Sequence, residues 1–135
     1  MLVAAAVLAW VSALLFAAAD GAVLGMEDDD GPLPPDAAVI VERRERSHRA
    51  LAFARILCQL TAGAAVALLW RRAGADWSSA PLLAGTALAV ILGESLARTT
   101  GDVLGARVLA PLAWLVRLAE VVLAPVVTIG TMLDA

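Results

Sequence analysis

Residues 1–19 read MLVAAAVLAWVSALLFAAA, and Ser12 is the one polar side chain among them. A helix that crosses a bilayer needs roughly 20 consecutive apolar residues, because each residue advances about 1.5 Å through about 30 Å of hydrocarbon. This stretch meets that length, and its apolar character continues weakly past Asp20, from Gly21 to Met26. The competing reading is a secretory signal peptide with Ala17-Ala18-Ala19 as its small-residue cleavage site. Signal peptides carry a positive segment ahead of the apolar run. No Lys or Arg precedes this one, so a retained spanning helix is expected over about residues 1–26.

Two further apolar segments follow. Ala50 to Trp70 is interrupted only by Arg55, Gln59 and Thr61 and is closed by Arg71 and Arg72, which predicts a helix over about 48–70. Trp70 and Trp77 stand at the level where aromatic rings favour the membrane interface. Ala80 to Ala97 is apolar except for Thr86, Glu94 and Ser95, and stops at Arg98-Thr99-Thr100-Gly101-Asp102. That predicts a third helix over about 80–98.

The connection over 27–47 is polar. It opens with Glu27-Asp28-Asp29-Asp30 and Gly31-Pro32-Leu33-Pro34-Pro35, and the proline cluster forbids one continuous helix. The acidic run reads as a solvated loop. The mixed-charge stretch after Asp36, ending in Glu42-Arg43-Arg44-Glu45-Arg46-Ser47-His48-Arg49, reads as a solvated or interfacial helix, with His48 a surface residue.

The last segment, with a helix expected over about 103–133, places Arg107, Trp114 and Arg117 at i, i+7 and i+10 on one stripe. Leu112, Leu115, Ala119, Val122 and Val126 line another side. That pattern suits a helix lying along the membrane surface; a fourth span kinked at Pro125 is the alternative. The expected fold class is therefore an all-α integral membrane protein with three transmembrane helices plus a C-terminal juxtamembrane or interfacial helix, residues 1–135 forming a single domain.

Composition points the same way. The chain is 61% hydrophobic and 17% charged, with a mean hydropathy of +0.85; a soluble domain is about 45–50% apolar and about 25% charged. The surplus is Ala, Leu and Val, with no Tyr and two Phe, which is no aromatic-rich β pattern. A net charge of −3 supplies no basic footprint for nucleic acid. The single cysteine, Cys58, forms no internal disulfide and reads as small apolar filler. One His, one Cys and no Gly-rich phosphate loop leave no catalytic constellation, so neither an enzyme nor a covalently bound cofactor is expected.

Orientation follows from the arginines, since cytoplasmic loops are the basic ones. Arg43, Arg44, Arg46 and Arg49 follow the first helix, Arg71 and Arg72 the second, and Arg98 and Arg107 the third. The N-terminus is then expected outside an inner (plasma) membrane. The 27–47 connection and the C-terminal segment are expected on the cytoplasmic side.

Ionisable groups at membrane depth are costly and mark candidate sites. They are Asp20, Arg55 and Glu94, with Gln59, Ser12, Thr61, Thr86 and Ser95 as lesser polar groups. Glu94 and Arg98 stand at i and i+4, which offers simple neutralisation within one helix. The alternative makes Glu94 a cation ligand completed by oxygens from other helices, as magnesium prefers. Asp20 reads as a boundary residue at a helix end, and Arg55 reaches either the lipid headgroups or one of the two acids. Gly63, Ala64 and Ala67, then Gly85 and Ala89, allow close helix packing within a bundle or a dimer.

At Gly93-Glu94-Ser95-Leu96-Ala97-Arg98 the sequence resembles the Gly-Glu-aliphatic-x-Pro-Lys signature that ends the third helix of the CNNM/CorC membrane domain. Ala18-Ala19-Asp20-Gly21-Ala22 resembles the small-small-Glu-x-Ala stretch ending that family's first helix. The charged connection and the run Val108-Leu109-Ala110-Pro111-Leu112 follow in the same order. The resemblance spans nearly the whole chain, and order and spacing carry it.

It implies a dimeric magnesium transport or efflux domain, commonly sodium-coupled, with three spans and a juxtamembrane helix. By position, Glu94 matches the ion-binding acid of the third helix. Gln59 and Thr61, with Cys58, occupy the neighbourhood of an absent Asn pair, and Ser12 stands near a first-helix hydroxyl, displaced by a residue. Ala97 replaces the signature Pro, Asp20 replaces Glu, and Ala17 stands where a second hydroxyl often lies. The regulatory CBS domains usual in the family are not expected in this chain. The resemblance therefore implies a magnesium transport domain with Glu94, Gln59, Thr61 and Ser12 as ligands. Its alternative is a non-transporting scaffold or an accessory subunit of a complete paralogue, and the partners implied are the lipid bilayer and a homodimer or heterodimer.

Overall fold

The computed structural model describes residues 1–26 and 34–133, so the acidic run and the turn that follows it lie outside the described residues. All regular structure among the described residues is helical: α1 (Leu2–Gly25), α2 (Pro35–Glu42), α3 (Arg44–Arg72), α4 (Ala80–Leu104), α5 (Ala106–Val122) and α6 (Ala124–Leu133), with one 3-10 turn at Trp77–Ser79. Among the described residues three helices are long and apolar enough to cross a membrane: α1, α3, and α4 together with the turn before it. At 1.5 Å per residue the 24 residues of α1 reach about 36 Å. The 17 residues of α5 stand at the lower limit of a spanning helix, and the 10 of α6 fall short of it.

The polarity of the three long helices is the reverse of a water-soluble bundle. Val3, Leu8, Leu60, Leu82, Ile91 and Leu96 are all exposed, whereas Asp20 and Ser47 are fully buried. Helix α1 is the centre of the bundle and packs against both α3 and α4. Its contact with α4 is made backbone to backbone. A Cβ placed on Gly21 would stand 2.0 Å from the Arg98 carbonyl oxygen, and one on Gly101 would stand 1.9 Å from the Ala18 carbonyl oxygen. Only glycine allows that approach, and it fixes the level at which Asp20 and Arg98 face each other.

The same contact explains why α4 outruns its expected end. Thr99, Thr100 and Asp102 are polar enough to read as a stop, yet the helix continues to Leu104, because Gly101 is held against α1. The chain turns at Gly105, whose φ of +45° an L side chain rarely adopts.

The expected single C-terminal helix is two helices. The break falls at Leu123, and Pro125 is the second residue of α6. A proline is tolerated in a first turn, where its missing N–H has no partner to lose, but it prevents α5 from continuing through it. The buried residues of α5 and α6 are Leu109, Ala113, Leu115, Val116, Ala119, Leu123 and Val127, with Leu112 half-buried, while Val122 and Val126 are exposed. The stripe expected from sequence is thus partly out of phase, since this segment is apolar on nearly every side.

Helix α5 packs on α1, α2 and α3, so the hydrophobic core is concentrated at one end of the bundle. Ile40, Leu51 and Leu109 are buried there almost completely, each worth about 1.5–3 kcal/mol when taken out of water. Polar ties hold that end together. The Ser47 hydroxyl donates to Glu120 and approaches the Ile40 carbonyl at 3.4 Å. Arg117 pairs with Asp36, and Arg44 donates to the Met26 carbonyl.

At the opposite end Asp76 caps the 3-10 turn. It accepts from the Ser78 backbone N–H at 3.0 Å and from the Ser78 hydroxyl at 2.5 Å. These bonds hold the Asp76 carboxyl below the usual aspartate range.

Candidate functional site

Polar side chains from three helices meet inside the bundle. On α3, His48, Arg55 and Gln59 fall at i, i+7 and i+11, one face of a helix; on α4, Glu94 and Arg98 fall at i and i+4. Helix α1 supplies Asp20 between them, only 1% exposed.

The side chains form one connected cluster. His48 Nδ1 stands 2.5 Å from Asp20 Oδ1. The other oxygen, Asp20 Oδ2, has no hydrogen-bond partner. It faces Arg55 Nη1 at 3.6 Å and Arg98 Nε at 3.8 Å, distances that carry Coulombic attraction without a hydrogen bond. Arg55 also binds the second acid, its Nε lying 2.9 Å from Glu94 Oε1. The Gln59 amide N–H donates to Glu94 Oε2. Arg55 therefore bridges the two carboxylates, and both Glu94 oxygens are already held by donors from α3. Two carboxylates face two guanidinium groups plus an imidazole, so the cluster is balanced without an added ion.

A cavity of about 380 Å³ adjoins the cluster between α1, α3 and α4. Glu94, Gln59, Thr86 and Trp10 are its polar members, and the rest of its wall is apolar. The Trp10 indole N–H is buried there without a hydrogen-bond partner.

Of the four candidate ligands, the structure brings together Glu94 and Gln59. Thr61 is two residues from Gln59, on a different side of α3. It is exposed, and its hydroxyl donates back to the Leu57 carbonyl at 2.8 Å. Ser12 is half-buried on α1, but Trp10 and Ala13 are the α1 residues at the cavity. Among the described residues no three His, Cys, Asp or Glu side chains gather as a metal-holding group.

Comparison with known proteins adds nothing to these contacts. No family model, no curated protein and no solved structure matches this chain.

Several readings from sequence change here. Glu94 pairs with Arg55 of α3 instead of Arg98 of its own helix, because Arg98 is drawn towards Asp20. Asp20 is buried under α3 and α4 and does not snorkel from a helix end. Of the two readings open for Arg55, lipid headgroups or the acids, the acids are its partners, and it reaches both. His48, read as a surface residue, is a direct partner of Asp20 and is 37% exposed. The 48/55/59 spacing carried that signal, since three polar residues on one stripe of an otherwise apolar helix call for polar partners across the interface.

Proposed function

We propose that this chain is an integral membrane protein of the inner (plasma) membrane, with three spans and α5 lying at the interface. We further propose that it acts as a non-transporting scaffold or accessory subunit of a larger membrane assembly. Membrane residence is supported by the exposure of apolar side chains along the whole of α4, where Leu82, Leu88, Ile91, Leu92 and Leu96 all lie open. In water such a surface is an aggregation hazard; in lipid it is the solvated one. Helix α5 fits an interface, with Trp114, Leu118 and Val121 exposed beside Arg107 and Arg117.

The observation that carries the scaffold reading is the state of Glu94. Both its oxygens are engaged, one by the Arg55 guanidinium at 2.9 Å and one by the Gln59 amide. A divalent cation entering here meets a resident positive charge and must displace it. The guanidinium thus does the neutralising that an ion would do in a transport site. The open apolar face of α4, with Gly85 and Ala89 on that helix, suits a second copy or a related chain.

A second reading stays in play: a magnesium transport domain of CNNM/CorC type, possessing a dimeric architecture and sodium coupling. It is favoured by the meeting of Glu94 and Gln59 at the wall of the 380 Å³ cavity. The two readings separate in one experiment, thermal unfolding of detergent-purified protein across a magnesium titration, for wild type and Glu94→Gln. A ligand that binds the folded state raises its melting temperature by mass action. The scaffold reading expects a flat response in both proteins. A magnesium-dependent rise in wild type that disappears in Glu94→Gln would replace it with the transport reading.

A further inference from the structure

We propose that the cleft between the α2–α3 junction and α6 binds the phosphate of an anionic lipid headgroup. The cleft has a volume of about 570 Å³ and gathers Arg43, Arg44, Arg46 and Arg49 within one lining. Among the described residues Glu42 and Glu45 share that lining, so its guanidinium groups outnumber its carboxylates by two. Arg49 is matched with Glu45 at 2.7 Å, and Arg44 donates to a neutral acceptor, the Met26 carbonyl. Arg43 and Arg46 are exposed, and among the described residues neither pairs with a carboxylate.

Position in the fold selects a lipid. The facing wall is α6, which brings Val127, a core residue only 6% exposed, and Thr128 to the cleft. The cleft also sits where α3 begins, a few residues before the apolar run from Ala50, which is headgroup depth for a helix entering a bilayer. Guanidinium forks match phosphate oxygens in pairs. Two exposed guanidinium groups, Arg43 and Arg46, fit a phosphomonoester lipid or a pair of phosphodiesters. The arginine count also puts this end on the cytoplasmic side, where anionic lipids are concentrated.

The test uses the full chain purified in neutral detergent, with dioleoyl phosphatidic acid, dioleoyl phosphatidylcholine and inorganic phosphate as separate probes, read by native mass spectrometry and melting temperature. Phosphatidic acid is expected to bind saturably, while the other two leave the protein unchanged. Arg43→Gln with Arg46→Gln weakens that binding roughly thirty-fold, from about fivefold per arginine near a lipid surface. Arg43→Lys with Arg46→Lys keeps the charges but loses the forks, so it retains more binding than the glutamine pair and less than wild type, which shows that the fold tolerates change there. Arg71→Gln with Arg72→Gln, at the far end of α3, leaves it intact.

Equal retention of phosphatidic acid by the Arg43/Arg46 glutamine variant overturns the site, and an equal response to inorganic phosphate overturns the lipid assignment. The proposal rests on membrane residence, which alkaline extraction of native membranes reads separately. Protein that stays in the pellet yet ignores phosphatidic acid loses this site and keeps its membrane reading.

Discussion

Among the described residues Asp20 ties α1 to both neighbouring long helices through charged partners. It is 1% exposed and is faced by His48, Arg55 and Arg98. Removing one member of a buried charge set strands the others, at a cost of about 3–5 kcal/mol. Asp20→Ala is therefore expected to destabilise the detergent-solubilised protein by about that amount, read as a fall in melting temperature; a shift within error of wild type would mean the cluster is decorative.

Glu94 and Arg55 form the second half of the cluster, and their coupling is measurable. A double-mutant cycle of Glu94→Gln and Arg55→Gln is expected to show about 1–3 kcal/mol of interaction energy in magnesium-free buffer. Additive effects would place Glu94's role outside the pair and favour an ion. The acids were legible in sequence as expensive groups at membrane depth. Arg55 was legible as a partner for one of them, but His48 was not, because His48 and Asp20 are 28 residues apart and the packing of α3 on α1 brings them together. Local spacing offered Glu94 a partner in Arg98; the tertiary arrangement offered Arg98 a more buried acid.

Among the elements, the α1–α4 contact sets the geometry that the cluster needs. Gly101→Ala drives a methyl into the Ala18 carbonyl, where a Cβ has 1.9 Å. The helices must separate, at the cost of overpacking, about 1–3 kcal/mol, plus whatever Asp20 and Arg98 lose. Gly63 is the control. It lies inside α3 with nothing within 4 Å of an added Cβ, so Gly63→Ala is expected to be neutral or stabilising by about 0.5–1 kcal/mol, the helix-interior difference between the two residues. Melting temperatures of the two variants check this, and an equal loss in both would disprove a site-specific contact.

The three apolar stretches were legible because composition alone demands them. The end of α4 was not, since Thr99 to Asp102 is polar and only the seat of Gly101 on α1 keeps it helical. The α5–α6 break was half legible. Pro125 announced a kink, but the choice of buried stripe was degenerate in a segment apolar on most sides.

At the scale of the whole molecule, the three long helices sort the charges to two ends. One end carries α2, α5, the Arg43–Arg49 group and the charge cluster; the other carries Arg71, Arg72 and the Asp76 cap. If the positive-inside bias governs insertion, the first end faces the cytoplasm and the 73–79 loop faces outside. Single cysteines introduced into a Cys58→Ala background make this testable, because Ser78 and Ala38 are both exposed and lie at opposite ends. A membrane-impermeant thiol reagent applied to intact cells is expected to label Ser78→Cys, and to label Ala38→Cys only after permeabilisation. The opposite pattern would invert the orientation and move the arginine cleft to the outer leaflet, away from the anionic lipids it is proposed to bind. Labelling of both positions in intact cells would rule out the crossing of α3 between them. The three spans would then be helices packed against something other than a bilayer, and the exposed face of α4 would need a protein partner along its whole length.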